Sequence, residues 1–315
     1  MMTLKTTKSQ TVGERKREEK SFYQFAQRVI AHLNELGKVR LAETYTTTLN
    51  SFKRFRGNVD LSLGKIDSDL IMAYEAHLRQ RGISANSSSF YMRNLRAIYN
   101  RAVEKGLTIQ CNPFKHVYTG IDKTVKRAVP LCVIKQIKEM DLTASSAQSL
   151  ARDMFLFSFY TRGMSFIDMA YLRKRDLSGG VLTYRRRKTG QRLLIKWEKP
   201  MQEIVEKYSI TGSVYLLPII NPHSGVDERR QYIHKAHNIN TSLKAIGDRL
   251  GLSVSLTMYV ARHAWASIAR SKNVPLSVIS EGMGHDSEAT TRIYLASLDT
   301  AAIDKANNMI LKSLR

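Results

Sequence analysis

Only two cysteines, Cys111 and Cys132, occur in 315 residues, and neither has a Cys-x-x-Cys partner. That excludes a disulfide framework and a cysteine zinc site, and leaves two ordinary thiols in a reducing compartment. No apolar run approaches the roughly 18 residues that a membrane span requires. The opening residues, MMTLKTTKSQTVGERKREEK, lack an apolar secretion core and read as a loose polar tail over 1–20. A cytoplasmic location is expected. Acidic residues are scarce as well: 27 Asp+Glu stand against 50 Lys+Arg, a formal net charge of +23. Such an excess repels itself unless a polyanion relieves it, so nucleic acid is the first expected partner. A membrane surface would ask for a strongly amphipathic basic terminal helix, and none is evident. There is no P-loop, internal repeat or low-complexity segment. His285, Asp286 and Glu288 lie close together, but no second ligand cluster accompanies them, so neither metal nor cofactor is expected.

With 43% hydrophobic residues, the chain is long enough for two domains with a sizeable core. The front reads as all-helical. SFYQFAQRVIAHLNELGK spaces Phe22, Phe25, Val29, Ile30 and Leu33 on one helical face. Tyr45, Leu49 and Phe52 continue the pattern up to Gly57, and SDLIMAYEAHLRQRG runs from a serine cap to Gly82. A fourth helix ends at Gly106 and carries Arg93, Arg96, Arg101 and Lys105 over roughly half its circumference. That broad basic side is a candidate phosphate-facing surface. Residues 21–107 therefore form a helical domain, and 108–127, with Pro113 and Gly120, read as the linker.

The second domain, 128–315, opens with helices around 131–140 and 145–163. VLTYRRRKTGQRLLIKW then places β-formers on both sides of a KTGQ turn, a β-hairpin. Residues 181–200 hold seven basic side chains and one acid, Glu198, which is dense for an ordinary surface hairpin. Arg185, Arg187 and Arg192 are its candidate DNA-binding residues. After a loop near 217–225 the chain reads as helical to its end. The fold class is mainly α with a small β-hairpin sheet.

TMYVARHAWASIAR, residues 257–270, reads as a helix with Ala261, Ala264, Trp265, Ile268 and Ala269 buried. Tyr259 and Arg262, three apart, are neighbours on another face. A second helix is bounded by Pro275 and Gly284. His285 follows directly, then a helix capped by Asp286 or Ser287, with Tyr294 two turns in.

The chain resembles the tyrosine recombinase (phage integrase) family. Arg262-His263-Ala264, Gly284-His285 and Ile293-Tyr294 match the family's carboxy-terminal motifs in order and spacing, and Lys188 matches its β-hairpin lysine. The resemblance covers about residues 20–300. It implies a SAM-like core-DNA-binding domain followed by a mixed α/β catalytic domain, closed as a C-shaped clamp on duplex DNA. It implies Tyr294 as the nucleophile forming a 3′-phosphotyrosine and Lys188 as general acid for the 5′-oxygen, without ATP or metal. Arg262 can give two hydrogen bonds to a non-bridging phosphate edge and His285 a further one. Double-stranded DNA with inverted-repeat sites and a homotetramer that exchanges strands in pairs are the implied partners. Most contacts would go to phosphate, so binding would weaken steeply with salt.

Two positions depart from the family pattern. His-x-x-Arg-His is here Tyr259-Val-Ala-Arg262-His263, and tyrosine is a poorer base than histidine at neutral pH. His263 is expected to pack. The family's first arginine precedes an acid by three residues. Here the acid is Asp168, and Ser165 stands where the arginine would be, with Arg162 one turn earlier. Arg162 is the expected functional replacement, with Ser165 as the other candidate for that place. A DNA-binding regulator on the same fold without catalysis is the alternative function, and a type IB topoisomerase a further one. Ser62-x-x-Lys65 with Lys188-Thr-Gly190 mimics penicillin-binding enzymes, but no S-D-N lies between them. The final segment, with Ile303, Ala306, Ile310 and Leu314 on one face, reads as a tail helix that docks on a neighbouring protomer. No arm-type DNA-binding domain is evident ahead of the helical bundle, which suits a simple recombinase for inversion, resolution or integration.

Overall fold

The computed structural model describes residues 21–122, 127–285 and 287–294, with side chains up to Arg292. The basic tail 1–20, Asp286 and the tail helix lie outside the described residues. The chain divides into two compact units between Thr124 and Val125.

The first unit is four helices: α1 (Phe22–Glu35), α2 (Val39–Phe55), α3 (Ser68–Gln80) and α4 (Ala85–Glu104). Their apolar faces meet in one core, as the periodicity requires. Phe22, Phe25, Val29 and Leu33 of α1 are buried, whereas Ile30 is only half-buried at the edge of the stripe. Tyr45, Leu49 and Phe52 of α2 face them, and the Phe52 and Tyr74 rings meet edge-on at 5.1 Å. The cap of α3 differs from the expected serine. Asp67 accepts the Leu70 N–H at 2.9 Å, and Ser68 is the first helical residue. Ser84 caps α4.

The first part of the expected linker belongs to this unit. Phe114 and Val117 enter its core, Tyr99 Oη donates to the Ile109 carbonyl at 2.8 Å, and Asn86 holds Asp122 by two backbone hydrogen bonds. Pro113 and Gly120 end helical periodicity there, but apolar side chains still find a surface to bury.

The second unit is built around α6 (Ser146–Tyr160), whose Ala151, Met154, Phe155 and Phe157 are fully buried. Against it pack α5 (Leu131–Glu139), α8 (Lys199–Lys207), α9 (Glu228–Arg249) and α10 (Met258–Ser271). After the short α7 (Phe166–Ala170) comes an antiparallel sheet in the order β1 (Leu177–Ser178), β2 (Val181–Arg185), β3 (Arg192–Lys196). The expected hairpin is β2–β3, paired from Val181↔Lys196 to Arg185↔Arg192; β1 is an addition. Alternation sends Leu182, Tyr184, Leu193 and Ile195 inward. The chain continues through α11 (Leu276–Met283) and α12 (Glu288–Tyr294). No helix among the described residues is long and apolar enough to cross a membrane.

Candidate active site

Arg262 projects from the middle of α10 into the protein and is only 4% exposed. One terminal nitrogen donates to the Gly163 carbonyl at 2.6 Å. The other lies 2.8 Å from both the Met283 carbonyl and His285 Nε2. A guanidinium suits this place because its planar donors reach three acceptors on two separate segments at once.

His285 is placed by the end of α11. Gly284 turns the chain in the left-handed region (φ 64°), and the His285 N–H returns to the Ser280 carbonyl at 3.0 Å. The imidazole is buried. Its Nε2 accepts from Arg262, so Nδ1 carries the proton and donates to Thr291 Oγ1 at 2.7 Å. Thr291 itself is fully buried on α12. Burial first, then the charges of Arg262, Arg186 and Lys188, pushes the His285 pKa down to about 3. The ring is neutral at physiological pH.

That depression has a stability consequence. The folded value lies below the ordinary 6.5, so the contribution of neutral His285 is complete above about pH 6.5 and is lost as pH falls toward 3. Between pH 7 and pH 5 the urea midpoint of the wild type is expected to drop more than that of His285→Asn. Parallel pH profiles for the two proteins would contradict this.

The Thr161-Arg162-Gly163-Met164-Ser165 segment approaches α10 closely. Arg162 has a left-handed backbone (φ 61°), uncommon for a residue with a Cβ. Its side chain is half-buried, with its Cδ 3.7 Å from where a Cβ on Gly282 would stand. A Cβ on Gly163 would lie 2.8 Å from Arg262 Cα, and Gly163 also has a positive φ (75°). Gly163→Ala is therefore expected to lower stability by about 2 kcal/mol, the scale of overpacking at a site that cannot yield. The midpoint of urea unfolding checks it; a shift under about 0.5 kcal/mol, ordinary for a harmless surface change, would contradict it.

Ser165 is committed to the acid that follows it. Its hydroxyl donates to Asp168 Oδ2 at 2.6 Å, and Asp168 Oδ1 accepts the Arg187 N–H at 2.8 Å. This buried carboxylate thereby pins the hairpin turn between Arg186 and Lys188. Lys188 is exposed at the hairpin end, within electrostatic reach of His285. Arg185, Arg187 and Arg192 line one cleft of about 330 Å³ with Asp168 and Tyr171, and the Arg187 guanidinium lies 3.9 Å above the Tyr171 ring.

The structure departs from the sequence reading in several places. Tyr259 does not join Arg262: it is 49% exposed and meets the buried His263 edge-on at 4.6 Å. Trp265, Ile268 and Ala269 are only partly buried, while Met258, Val260 and Ala266 are buried instead. Ser287 stands before α12, its Oγ accepting the Thr290 N–H at 3.4 Å. Tyr294 is the last residue of α12, which packs against α10 and α11, the helices that carry Arg262 and lead to His285; its side chain lies outside the described residues. In the first unit Arg93 and Arg96 lean toward the Ser89 carbonyl and Thr119, while Arg101 lies over the Tyr45 ring at 5.7 Å. The basic side of α4 is thus divided between two faces.

Arg186 was missed. It is 6% exposed and donates to the Gly284 carbonyl. A Cβ on Gly284 would stand 2.6 Å from its Cδ. The signal for it was the strand period: 186 continues the inward parity of Leu182 and Tyr184. No group of three or more His, Cys, Asp or Glu among the described residues has metal-site geometry, and both cysteines are free and exposed.

Comparison with known proteins identifies the family and the fold. Residues 21–120 match the model of the phage integrase SAM-like domain, and residues 134–301 match that of the phage integrase family. A tyrosine recombinase XerD of Rhizobium meliloti (strain 1021) is 25% identical over 279 residues, covering 82% of this chain and 84% of the relative. A tyrosine recombinase XerA of Pyrococcus furiosus is 24% identical over 247 residues, 75% of this chain and 79% of the relative. Among solved structures, a lambda integrase dimer bound to a COC′ core site superposes with a TM-score of 0.67 at 17% identity, covering 87% of this chain and 95% of that one. A lambda integrase tetramer bound to a Holliday junction gives 0.66 at 17%, covering 92% and 82%. The helical first unit, the hairpin-bearing second unit and both matched models lead to one conclusion: the chain belongs to the phage integrase family.

Proposed function

We propose that the protein is a site-specific DNA recombinase that cuts and rejoins duplex DNA through a 3′-phosphotyrosine on Tyr294. The observation that carries this reading is the buried Arg262–His285 pair, a charged donor and a neutral imidazole, with the Tyr294 helix packed beside both. In the first step Tyr294 Oη attacks the scissile phosphorus. The P–Oη bond forms as the P–O5′ bond breaks, the phenolic proton passes to solvent water, and Lys188 gives a proton to the leaving 5′-oxygen. Arg262 and His285 stabilise the charge that gathers on the non-bridging oxygens. To serve as a donor there, His285 must present a proton at Nε2. The Thr291 hydroxyl permits this, since it can accept from Nδ1 in one tautomer and donate to it in the other. The phosphotyrosine ester keeps the bond energy, so a 5′-hydroxyl can reverse the step without ATP. Neither a metal nor a cofactor takes part.

Arg93, Arg96 and Arg101 of the first unit, and Arg185, Arg187 and Arg192 of the hairpin, are the proposed phosphate contacts. A helical domain that extends beyond Val117 and a catalytic domain over 128–315 serve to bind duplex DNA with inverted repeats. Tyr259 and Arg162 flank this machinery. Assembly as a homotetramer is supported by the lambda integrase tetramer that shares the fold. The high net charge suits the polyanion.

The test is a plasmid carrying two copies of the sequence the protein footprints, incubated in EDTA without ATP. Inverted or resolved product is expected. Relaxation of plasmids lacking the site would favour topoisomerase chemistry. Tight, specific binding without strand exchange would favour the regulator.

A further inference from the structure

We propose that Arg186 is a further catalytic residue, a guanidinium that contacts the scissile phosphate and supplies the charge missing at position 165. The inference rests on the recombinase reading above and deepens it.

Three groups could take that place. Ser165 is neutral, and its hydroxyl is spent on Asp168. Arg162 is half-buried beside Gly282. Arg186 is 94% withdrawn from solvent, being 6% exposed. Its hydrogen-bond partner is a neutral carbonyl, that of Gly284, and its Nε has none. It makes no salt bridge among the described residues. A guanidinium kept from water without a counter-ion is unfavourable in isolation, and an anion that enters the site relieves it.

The position is as telling as the burial. Arg262 donates to the Met283 carbonyl and Arg186 to that of Gly284, so the two guanidiniums grip consecutive peptides of one turn. His285 is the next residue, and both charges act on its ring. Burial raises the pKa of the nearby Tyr184 phenol, Asp168 adds to the rise, and Arg262 and Arg186 oppose it. Two planar forks around one imidazole match a phosphodiester whose non-bridging oxygens both gain charge during attack.

The altered segment also explains how Arg186 is delivered. Ser165 orients Asp168, and Asp168 holds the Arg187 N–H. The residues standing where the family's arginine motif would be thus fix the start of the hairpin turn, directly after Arg186. Gly284 completes the fit, because Arg186 Cδ occupies the space a side chain there would need.

The experiment measures single-turnover formation of the covalent protein–DNA adduct on a nicked suicide duplex. Wild type, Arg186→Ala, Arg186→Lys and Arg162→Ala are compared, with duplex binding measured alongside. Each protein is assayed on the ordinary phosphodiester and on a duplex with a methylphosphonate at the scissile position, which removes one non-bridging oxygen and its charge. Arg186→Ala is expected to lose about 100-fold or more in rate on the phosphodiester, on the scale of a removed transition-state donor. On the methylphosphonate its deficit should shrink to within a few-fold of wild type. Arg186→Lys, which keeps charge and fold, should fall between the two. Arg162→Ala should stay within a few-fold of wild type on both. The proposal is overturned if Arg186→Ala and Arg186→Lys both match wild type, if their loss is the same on both duplexes, or if Arg162→Ala shows the charge-dependent loss instead. Should Arg186→Ala fail to fold, Arg186→Lys decides by the same comparison. No adduct from wild type on the phosphodiester would overturn the recombinase reading itself.

Discussion

Arg262→Ala is expected to lower the rate of DNA cleavage by about 1000-fold and to destabilise the second unit by about 3 kcal/mol. Both effects come from one side chain making two kinds of contact. Its donors satisfy the Gly163 and Met283 carbonyls and His285 Nε2, at 2.6, 2.8 and 2.8 Å. Truncation leaves these buried acceptors without a donor, at about 1–3 kcal/mol each where water cannot enter. It also removes the fork that would face the phosphate. Arg262→Lys separates the two roles: one ammonium keeps the charge but cannot span three acceptors on separate segments. It should recover more stability than rate. Single-turnover cleavage and urea unfolding of both variants check this, and a variant that loses stability but cleaves at the wild-type rate would contradict the assignment.

Local patterns made the helices legible. The stripes of Phe22, Phe25, Val29 and of Tyr45, Leu49, Phe52, spaced three or four residues apart, specify faces that bury together, and the β-formers around the KTGQ turn specify the paired strands of the hairpin. Glycine before histidine at 284–285 marked the end of α11, and the structure shows why: only the left-handed turn there brings the imidazole back to Arg262.

What stayed hidden depends on contacts distant in sequence. Asp168 was recognisable as the acid of a family motif, but its hold on the Arg187 N–H nineteen residues away leaves no local trace. Arg186 sat in a run of four basic residues, Arg185 to Lys188, which reads as a solvated surface. The parity of β2 carried one residue further sets Arg186 inward between the exposed Arg185 and Arg187, and it ends there, since Lys188 in the turn is exposed. Tyr259 presents a different case. It is a helical neighbour of Arg262, yet Arg262 is drawn inward by carbonyls from two other segments while Tyr259, in the first turn of α10, remains at the surface. Phe114 and Val117 read as linker from the sequence because periodicity ends before them, but two apolar side chains suffice to dock a loop.

The central claim is that Tyr294 becomes joined to DNA. It is tested most directly on a suicide duplex carrying the footprinted inverted repeats and nicked within the spacer, in EDTA, with products resolved on a denaturing gel. Wild type is expected to give a covalent protein–DNA band, and peptide mapping should place the nucleotide on Tyr294. Tyr294→Phe should bind the same duplex with unchanged affinity and give no band. A band of equal intensity from Tyr294→Phe, or none from a wild-type protein that binds its site tightly, would contradict the account.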